Sequence, residues 1–321
     1  MNRNISLFVD KFRVKGEIKN SIHKFLRDEE IVILNYLVDK EVNISNLISE
    51  FSPSSVSLIE SLYEKGYLDK QSKKGDIYYK SNPFELILKR FINHNPKYQE
   101  LAAVDKAQFQ KAVMDLALEE MRSSEKPVYR VIPVEETIKD KRQLIPHHKA
   151  IHYLQRAAAI SVIDCLCRMT HNRCDKPRRV CLALGEKAKF FIERGIGAEI
   201  SVQEGLEILK ISVENGLVHS INDTENPHYL CNCCECCCVF VQGLKKYGVF
   251  SSMGRSGFIA SRDLELCTEC GTCLEYCIFD AITEENDGIQ FNQDKCFGCG
   301  LCAHNCPQSA VQLIVSNKVD E

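Results

Sequence analysis

The amino-acid sequence predicts an α+β protein of several domains, and three observations support this fold class. Helical periodicity followed by a hairpin pattern occupies the beginning of the chain, and the first 164 residues contain no cysteine. Ten cysteines are crowded into residues 165–238, among helical and strand-like segments. Eight more form two similar segments near the end of the chain. We therefore expect four regions, bounded as 1–82, 83–126, 127–256 and 257–321.

Composition excludes several classes of function. The chain of 321 residues has 41 basic and 44 acidic residues and a formal net charge of −3. This balance lacks the excess of positive charge that is typical of proteins that bind nucleic acid or an acidic membrane surface. Eighteen cysteines could indicate a secreted disulfide scaffold, but the start MNRNISLFVDKF has no signal-peptide core and the cysteines are spaced like metal ligands. No apolar run approaches the length of a membrane span. We expect a soluble protein of the reducing cytoplasm.

The first region has the pattern of a winged helix. Ile31 and Leu34 recur at helical spacing, and Ser52-Pro53 marks the start of a third helix. A turn rich in lysine and glycine then separates two strand-like runs, as in a β-hairpin. Three helices followed by a hairpin predict a winged-helix domain in residues 1–82.

Charge indicates what such a domain would bind. A helix that reads DNA presents Arg, Lys, Asn or Gln to the base edges, whereas the third helix here carries Glu60 and Glu64. Only the hairpin is mildly basic, with lysines such as Lys70 and Lys73. We therefore expect the domain to dock a protein partner, with DNA recognition as the alternative.

Residues 83–126 are predicted to form a helical connector. Apolar residues recur at helical spacing from Phe84 to Phe91, and a long helix is expected to follow Asn95-Pro96. Packing into a core is the ordinary role of such helices. A dimerisation arm is the alternative, and in that case the protein would form a homo-oligomer.

The Cys-rich middle domain, of mixed helical and α/β character, begins near Pro127. A predicted strand, ISVID, leads into four cysteines spaced through CLCRMTHNRCDKPRRVC, namely Cys165, Cys167, Cys174 and Cys181. Several arginines lie among them, and nearby cations lower the pKa of a thiol and favour an anionic metal–thiolate group. One [4Fe-4S] cluster is the favoured interpretation of this segment, and buried free thiols are the alternative.

A second group of cysteines is the run CNCCECCC, whose six thiols are Cys231, Cys233, Cys234, Cys236, Cys237 and Cys238. Such a density of thiols would oxidise unless it bound metal. Adjacent side chains diverge, so all six cannot face one cubane, and the run serves two metal centres or supplies part of one. With the four cysteines upstream, we expect one or two further iron–sulfur clusters in the middle domain. A noncubane cluster and a catalytic thiol pair stay open.

The end of the chain repeats the pattern Cys-x2-Cys-x2-Cys-x3-Cys, the ligand spacing of a bacterial-type ferredoxin with two [4Fe-4S] clusters. A tight loop presents three thiolates to one cubane but cannot close on itself, so the fourth ligand comes from the other segment. We expect a first ferredoxin-type set, Cys267, Cys270, Cys273 and Cys306, and a second ferredoxin-type set, Cys277, Cys296, Cys299 and Cys302. A zinc ribbon or a disulfide cage is the weaker alternative, because zinc prefers two cysteine pairs.

The two segments also form an internal repeat. Cys296 follows Cys267 by 29 residues, and the same offset relates Ala281 to Ala310. The repeat predicts a pseudo-two-fold ferredoxin domain in residues 257–321. Because exposed cubanes are oxygen-labile, we also expect an anaerobic setting.

Together these features resemble a widespread family of anaerobic 4Fe-4S dicluster, or ferredoxin-like, proteins. The winged-helix start, the CxCR…C…C segment, the CNCCECCC run and the terminal dicluster module carry the resemblance, which covers most of the chain from about Asp28. The dicluster module is common to many proteins, whereas the CNCCECCC run is rarer. The resemblance implies electron transfer with redox partner proteins and implies no particular substrate.

The sequence therefore predicts an iron–sulfur electron-transfer protein, with an oxidoreductase subunit as the nearest enzyme class and no catalytic residue identified. No Gly-x-Gly-x-x-Gly follows a strand and no phosphate-loop motif occurs, which disfavours a nucleotide-dependent reaction within this chain. Two other functions stay open. A winged-helix transcription regulator could use the clusters as a redox sensor, and an oxidoreductase could reduce a small substrate at a middle-domain cluster.

Overall fold

The computed structural model describes residues 3–286 and 288–316. The chain divides into two compact units, Met1–Leu116 and Ala117–Glu321. The boundary predicted at residue 256 lies inside the second unit, so the Cys-rich segments and the C-terminal module belong to one compact body. Among the described residues, no helix is both long and apolar enough to cross a membrane.

The first unit contains the three helices and the hairpin that the sequence predicts, with a helix before them and others after. Its helices are α1 (Arg3–Lys11), α2 (Asp28–Leu37), α3 (Ile44–Phe51), α4 (Val56–Glu64), α5 (Phe84–His94), α6 (Pro96–Glu100) and α7 (Ala103–Ser123), the last of which contains the boundary between the units. Its strands are β1 (Val42–Asn43), β2 (Leu68–Lys73) and β3 (Asp76–Ser81). They form a sheet in the order β1-β3-β2.

Local sequence explains where these elements begin and end. The Asn43 side chain accepts a hydrogen bond from the Ser45 backbone N–H at 2.8 Å and so caps α3. Gly66 follows α4 with a φ of 72°, a conformation that glycine adopts without strain. The long helix expected after Asn95 is instead two helices, α6 and α7, because Leu101 is extended and packs its side chain against the core.

Aromatic rings fill the core of the first unit. The rings of Phe25, Phe91 and Phe109 lie with centroids 5.1, 5.6 and 5.3 Å apart in their three pairings. A buried carboxylate, Glu30, lies 2.6 Å from the Lys65 ammonium and accepts a hydrogen bond from the backbone N–H that precedes α2. Burial alone would raise the pKa of Glu30, but these bonds outweigh it and lower the pKa.

The second unit combines a mixed sheet, covered by helices, with a smaller module at its C-terminal end. The strands of the large sheet are β4 (Tyr129–Val131), β5 (Ile160–Ile163), β6 (Cys181–Leu184), β7 (Ala198–Glu199), β8 (Val218–Asn222), β9 (Tyr229–Cys233) and β10 (Met253–Gly254). The helices between them are α8 (Ala150–Arg156), α9 (Leu166–His171), α10 (Glu186–Glu193), α11 (Val202–Glu214) and α12 (Val239–Tyr247). The strand order is β10-β4-β8-β9-β6-β5-β7, and every neighbouring pair is antiparallel except β10 with β4.

The C-terminal module has the internal repeat that the sequence predicts. Its elements are β11 (Phe258–Arg262), α13 (Thr272–Tyr276), β12 (Ile282–Glu285), β13 (Gly288–Phe291), α14 (Leu301–His304) and β14 (Val311–Val315). Both α13 and β12 recur 29 residues later, as α14 and β14, so the repeat is confirmed. Each half pairs a strand with the other half, β11 with β14 and β12 with β13.

A segment that follows β4 ties this module to the large sheet. The Val134 N–H donates to the Cys299 carbonyl oxygen at 3.0 Å, and the Lys139 N–H donates to the Leu313 carbonyl oxygen at 2.9 Å. These bonds hold the second ferredoxin-type set beside the sheet that carries the other cysteines.

Candidate metal centres

The second ferredoxin-type set surrounds a cavity inside the C-terminal module. All four of its thiols line this cavity, together with Gly298 and Gly300. Burial, and then the charges of Cys299, Cys296 and Cys277, raise the pKa of the Cys302 thiol. The structure thus brings Cys277 together with the three thiols of the other segment.

The first ferredoxin-type set lies nearer the surface. Cys270 is exposed, whereas Cys273 is buried. Burial, and then the charges of Cys267, Cys306 and Cys270, raise the pKa of the Cys273 thiol. Cys306 is therefore close to the thiols of the first loop, although it follows them far along the chain.

Backbone donors suit both sets to metal-bound sulfur, and a glycine provides the close packing beside the second set. The Ala260 N–H donates to Cys296 Sγ and the Glu269 N–H donates to Cys267 Sγ, each at 3.4 Å. Gly298 has a φ of 66°, and a Cβ there would lie 2.1 Å from a backbone carbonyl oxygen, so only glycine fits. N–H···S bonds favour the thiolate over the thiol. The residues therefore fit the [4Fe-4S] clusters that their spacing predicts.

Six of the remaining thiols form what we call the six-thiol ring. In order around the ring its members are Cys165, Cys167, Cys238, Cys233, Cys231 and Cys181. The pKa of each thiol is shifted most by its two neighbours in this order, so the six thiols lie close together, and the Sγ atoms of Cys233 and Cys238 lie 3.3 Å apart. Interaction with Cys165, together with burial, raises the pKa of the Cys181 thiol, whereas interaction with the same Cys165 lowers the pKa of Cys167, so the thiols of the ring differ in how readily they ionise.

The large sheet assembles this ring from distant parts of the chain. Cys231 and Cys233 stand two residues apart on β9, so their side chains project from the same face. The antiparallel pairing of β6 with β9 sets Cys181 opposite Cys231. Cys165 and Cys238 come directly before α9 and α12, where the chain leaves the sheet.

A buried cation, Arg168, lies beside the ring. Its side chain is 1% exposed and donates from one Nη to the Asn232 carbonyl oxygen at 2.9 Å, but within the described part of the chain its Nε and other Nη have no acceptor. Burial opposes the charged form, yet attraction to thiolates at Cys165, Cys181 and Cys234 raises the pKa of this guanidinium. Buried donors of this kind need an acceptor, and they fit an anionic metal–sulfur group.

His171, on the same helix as Arg168, is a second buried polar group at the ring. Burial lowers its pKa, so the imidazole is neutral, and neither ring nitrogen has a hydrogen-bond partner among the residues described. Across the ring, Ser220 Oγ lies 3.4 Å from Cys233 Sγ. Polar side chains thus face the ring from both α9 and β8, which again suits a bound group with sulfur acceptors.

The other four middle-domain thiols form a separate four-thiol group: Cys174, Cys234, Cys236 and Cys237. Their Sγ atoms all lie within 4.8 Å of one another. Cys174 comes from the loop after α9, and the other three come from the turn between β9 and α12. Cys174 and Cys236 are half-buried, so one side of the group is near the surface.

The structure therefore divides the thiols of the CNCCECCC run between two groups, and whether these are two metal centres stays a prediction. Cys174 does not join the other three cysteines of its own segment. Sequence analysis noted Arg168 only as one of several cations, and it missed His171. Arg168 and His171 follow Cys167 by one and four residues on α9, and this short separation is the signal for both.

Comparison with known proteins identifies the C-terminal module. The family model of the 4Fe-4S dicluster domain matches residues 266–311, which contain both ferredoxin-type sets. Hydrogenase-4 component A of Escherichia coli (strain K12) is 34% identical over 93 residues, which cover 28% of this chain and 45% of that relative.

Two further relatives are named as enzyme subunits. Pyruvate synthase subunit PorD of Thermotoga maritima is 44% identical over 50 residues, covering 15% of this chain and 50% of the relative. The delta subunit of the NADH-dependent phenylglyoxylate dehydrogenase of Aromatoleum evansii is 39% identical over 46 residues, covering 14% of this chain and 50% of the relative. The chain spans about half the length of each of these three relatives. It carries a 4Fe-4S dicluster domain and is an iron–sulfur protein related to electron-transfer proteins and oxidoreductases.

Proposed function

We propose that this chain is an electron-transfer protein in which the C-terminal module works together with a further iron–sulfur centre in the six-thiol ring. The first and second ferredoxin-type sets would each hold one [4Fe-4S] cluster. When bound, such clusters supply one-electron redox chemistry. One observation carries the proposal: the six-thiol ring and the second ferredoxin-type set share a hydrophobic core. Cys233 and Cys238 of the ring and Cys299 of the second set pack in the same hydrophobic cluster.

The side chains of this shared core are apolar and buried. Ile278 follows the ligand Cys277 directly, and the rings of Phe279 and Phe297 stack with centroids 4.4 Å apart. A hydrophobic shell excludes water and lowers the local dielectric constant, which controls the redox potential of a metal centre. The shell thus supports two adjoining redox sites within one unit.

The first ferredoxin-type set is suited to exchange with a partner protein. Its ligand Cys270 is exposed, and in the same loop the side chains of Leu264 and Leu266 are 71% and 52% exposed. Apolar side chains around an exposed functional group are typical of a docking surface. Two relatives are named as subunits of larger enzymes, which also favours a redox partner protein for this chain.

The proposal is tested by reductive titration of the anaerobic full-length chain, followed by EPR. The wild type should take up more electrons than its two ferredoxin-type clusters account for. Cys167→Ser should lose the excess and keep both ferredoxin-type signals, whereas the control Cys270→Ser should lose one of those signals and keep the excess. Uptake that matches the two ferredoxin-type clusters alone, or no change in Cys167→Ser, would contradict the proposal.

We also infer that the first unit is a winged-helix module that docks a protein and does not read DNA. Two of the hairpin lysines are engaged within the unit: Lys70 Nζ lies 3.2 Å from the Glu60 carboxylate, and Lys73 pairs with Glu41. DNA affinity comes mainly from Lys and Arg that neutralise phosphates, and lysines that already pair with carboxylates contribute less. On the third helix, α4, Glu60 is the carboxylate that pairs with the hairpin.

Titration of the full-length chain with genomic DNA fragments at near-physiological salt tests this inference. We expect only weak binding without sequence preference. Sub-micromolar, sequence-selective binding would favour the redox-responsive regulator instead.

A further inference from the structure

The four-thiol group has the spacing of ligands to a single ion. Its Sγ atoms lie 3.6 Å apart between Cys234 and Cys236, 3.7 Å between Cys236 and Cys237, and 3.9 Å between Cys174 and Cys237. Four sulfurs bound at about 2.3 Å to one tetrahedral ion would lie roughly 3.8 Å apart. A cubane binds each thiolate through a different iron at an outer corner, so its ligand sulfurs stand farther from one another.

The same chain provides the contrasting case. The second ferredoxin-type set surrounds a cavity, as ligands of a cluster would. Within residues 3–286 and 288–316, neither ferredoxin-type set forms a group as compact as the four-thiol group. Two kinds of sulfur site, with different spacing, are therefore present in one protein.

The surroundings of the four-thiol group suit a negatively charged metal–thiolate complex. Arg173 Nη1 donates to the Cys236 carbonyl oxygen at 3.4 Å, which sets a cation beside the group, and the backbone N–H groups of Lys176 and Arg173 favour the thiolate forms of Cys174 and Cys237. The buried guanidinium of Arg168 is close to Cys234. A divalent ion with four thiolates carries a net charge of about −2, and N–H donors and a cation around the ligands stabilise that charge.

The geometry points to a mononuclear site in which Cys174, Cys234, Cys236 and Cys237 bind one divalent, thiolate-preferring ion, zinc or ferrous iron, without inorganic sulfide. Each thiol releases its proton to solvent when the ion binds. The ion joins the loop after α9 to the turn before α12. These two segments flank the elements that carry Cys165, Cys167 and Cys238, so the ion fixes two sides of the six-thiol ring. The site is distinct from the redox centres proposed above.

Metal and sulfide analysis of the anaerobically purified full-length chain tests the site. Iron–sulfur clusters of the cubane type contain iron and sulfide in equal amounts, so a mononuclear ion appears as metal without matching sulfide. We expect about one zinc per chain, or iron in excess of sulfide by about one. For zinc, X-ray absorption at the zinc edge should give a single shell of four sulfurs at about 2.3 Å. For iron, Mössbauer spectroscopy should give a high-spin ferrous tetrathiolate signal.

Two variants assign the ion to these residues. Cys236→Ser should remove the one unmatched metal and leave sulfide unchanged, whereas the control Cys270→Ser should lose iron and sulfide together and keep the unmatched metal. Loss of iron and sulfide in equal amounts from Cys236→Ser would assign the group to a cluster and overturn the inference. Wild-type protein with neither zinc nor unmatched iron would overturn it as well, and that result does not depend on how the variant folds.

Discussion

The C-terminal module and the large sheet gather their sulfur ligands in different ways. In the module, three ligands of each predicted cluster come from one short loop, so their arrangement is largely local. In the sheet, the six-thiol ring depends on the pairing of β6 with β9 and on the points where α9 and α12 leave the sheet. Non-local pairing forms later in folding than local loops do. The ring should therefore load with metal only after the sheet has formed, whereas the module can load early.

The two regions also balance charge differently. The module offers backbone N–H donors to its sulfurs, and its single arginine, Arg262, has Nη1 3.9 Å from Cys267 Sγ. The sheet instead buries a whole guanidinium, Arg168, next to the ring. Removal of one cation should therefore affect the ring far more than it affects the module.

The largest expected effect is the loss of a whole cluster from the module. Cys277→Ser should remove the cluster of the second ferredoxin-type set, because the Cys277 thiol lines the same cavity as the other three. In EPR of the reduced protein, the signal that remains should match that of Cys299→Ser and differ from that of Cys270→Ser. A remaining signal that matches Cys270→Ser would show that the ligands do not cross between the segments.

The next largest effect is expected at Gly298. Comparison with Gly271 separates two roles of glycine, the room left by its missing side chain and its tolerance of positive φ. A Cβ at Gly298 would lie 2.1 Å from the Phe258 carbonyl oxygen, whereas at Gly271 the nearest atom is 3.9 Å away, on the side chain of Leu274. Both glycines have positive φ, so Gly271→Ala carries only the conformational cost, roughly 1–2 kcal/mol. Gly298→Ala should lose iron from the second set during anaerobic purification, and Gly271→Ala should keep its iron. Equal iron loss in the two variants would contradict this account.

A smaller effect is expected when the buried cation of the sheet is removed. Arg168→Met should weaken metal retention by the ring about 10–100-fold, as is typical when a group that supports metal ligands is lost. The measurement is the rate at which a chelator releases iron and sulfide from the full-length chain. Arg179→Met is the matched control. The Arg179 side chain is 48% exposed, and its guanidinium forms a long ion pair of 3.8 Å with Asp164. Equal release from the two variants would mean that Arg168 does not support the ring.

The smallest effect is a change in the potential of one module cluster. Arg262→Gln removes a cation beside Cys267, and the reduced cluster, which carries one more negative charge, loses stabilisation. The potential of the first cluster should therefore fall without loss of iron. A redox titration followed by EPR measures it, with Arg142→Gln as a control at a side chain that is 89% exposed. An unchanged or raised potential would contradict the claim that the charge of Arg262 stabilises the reduced cluster.

The sequence predicted some of these features well because they depend on local spacing. Both ferredoxin-type segments follow from a fixed register of cysteines, and the helices of the first unit follow from apolar periodicity. The division of the other thiols was not predictable in the same way. Cys233 and Cys234 are adjacent yet belong to different groups, because β9 ends at Cys233 and the chain then turns. Where that strand ends depends on pairing with β6 and β8, which no short window of sequence specifies.

The central claim is that the large sheet carries an iron–sulfur centre beyond those of the dicluster module. The most direct measurement is the iron and acid-labile sulfide content of the anaerobically purified full-length chain, with EPR used to count the ferredoxin-type clusters. We predict more than about eight irons per chain, with sulfide also above the amount that two cubanes contain. A preparation in which both ferredoxin-type clusters are fully occupied, and which still holds only about eight irons and eight sulfides, would contradict the claim.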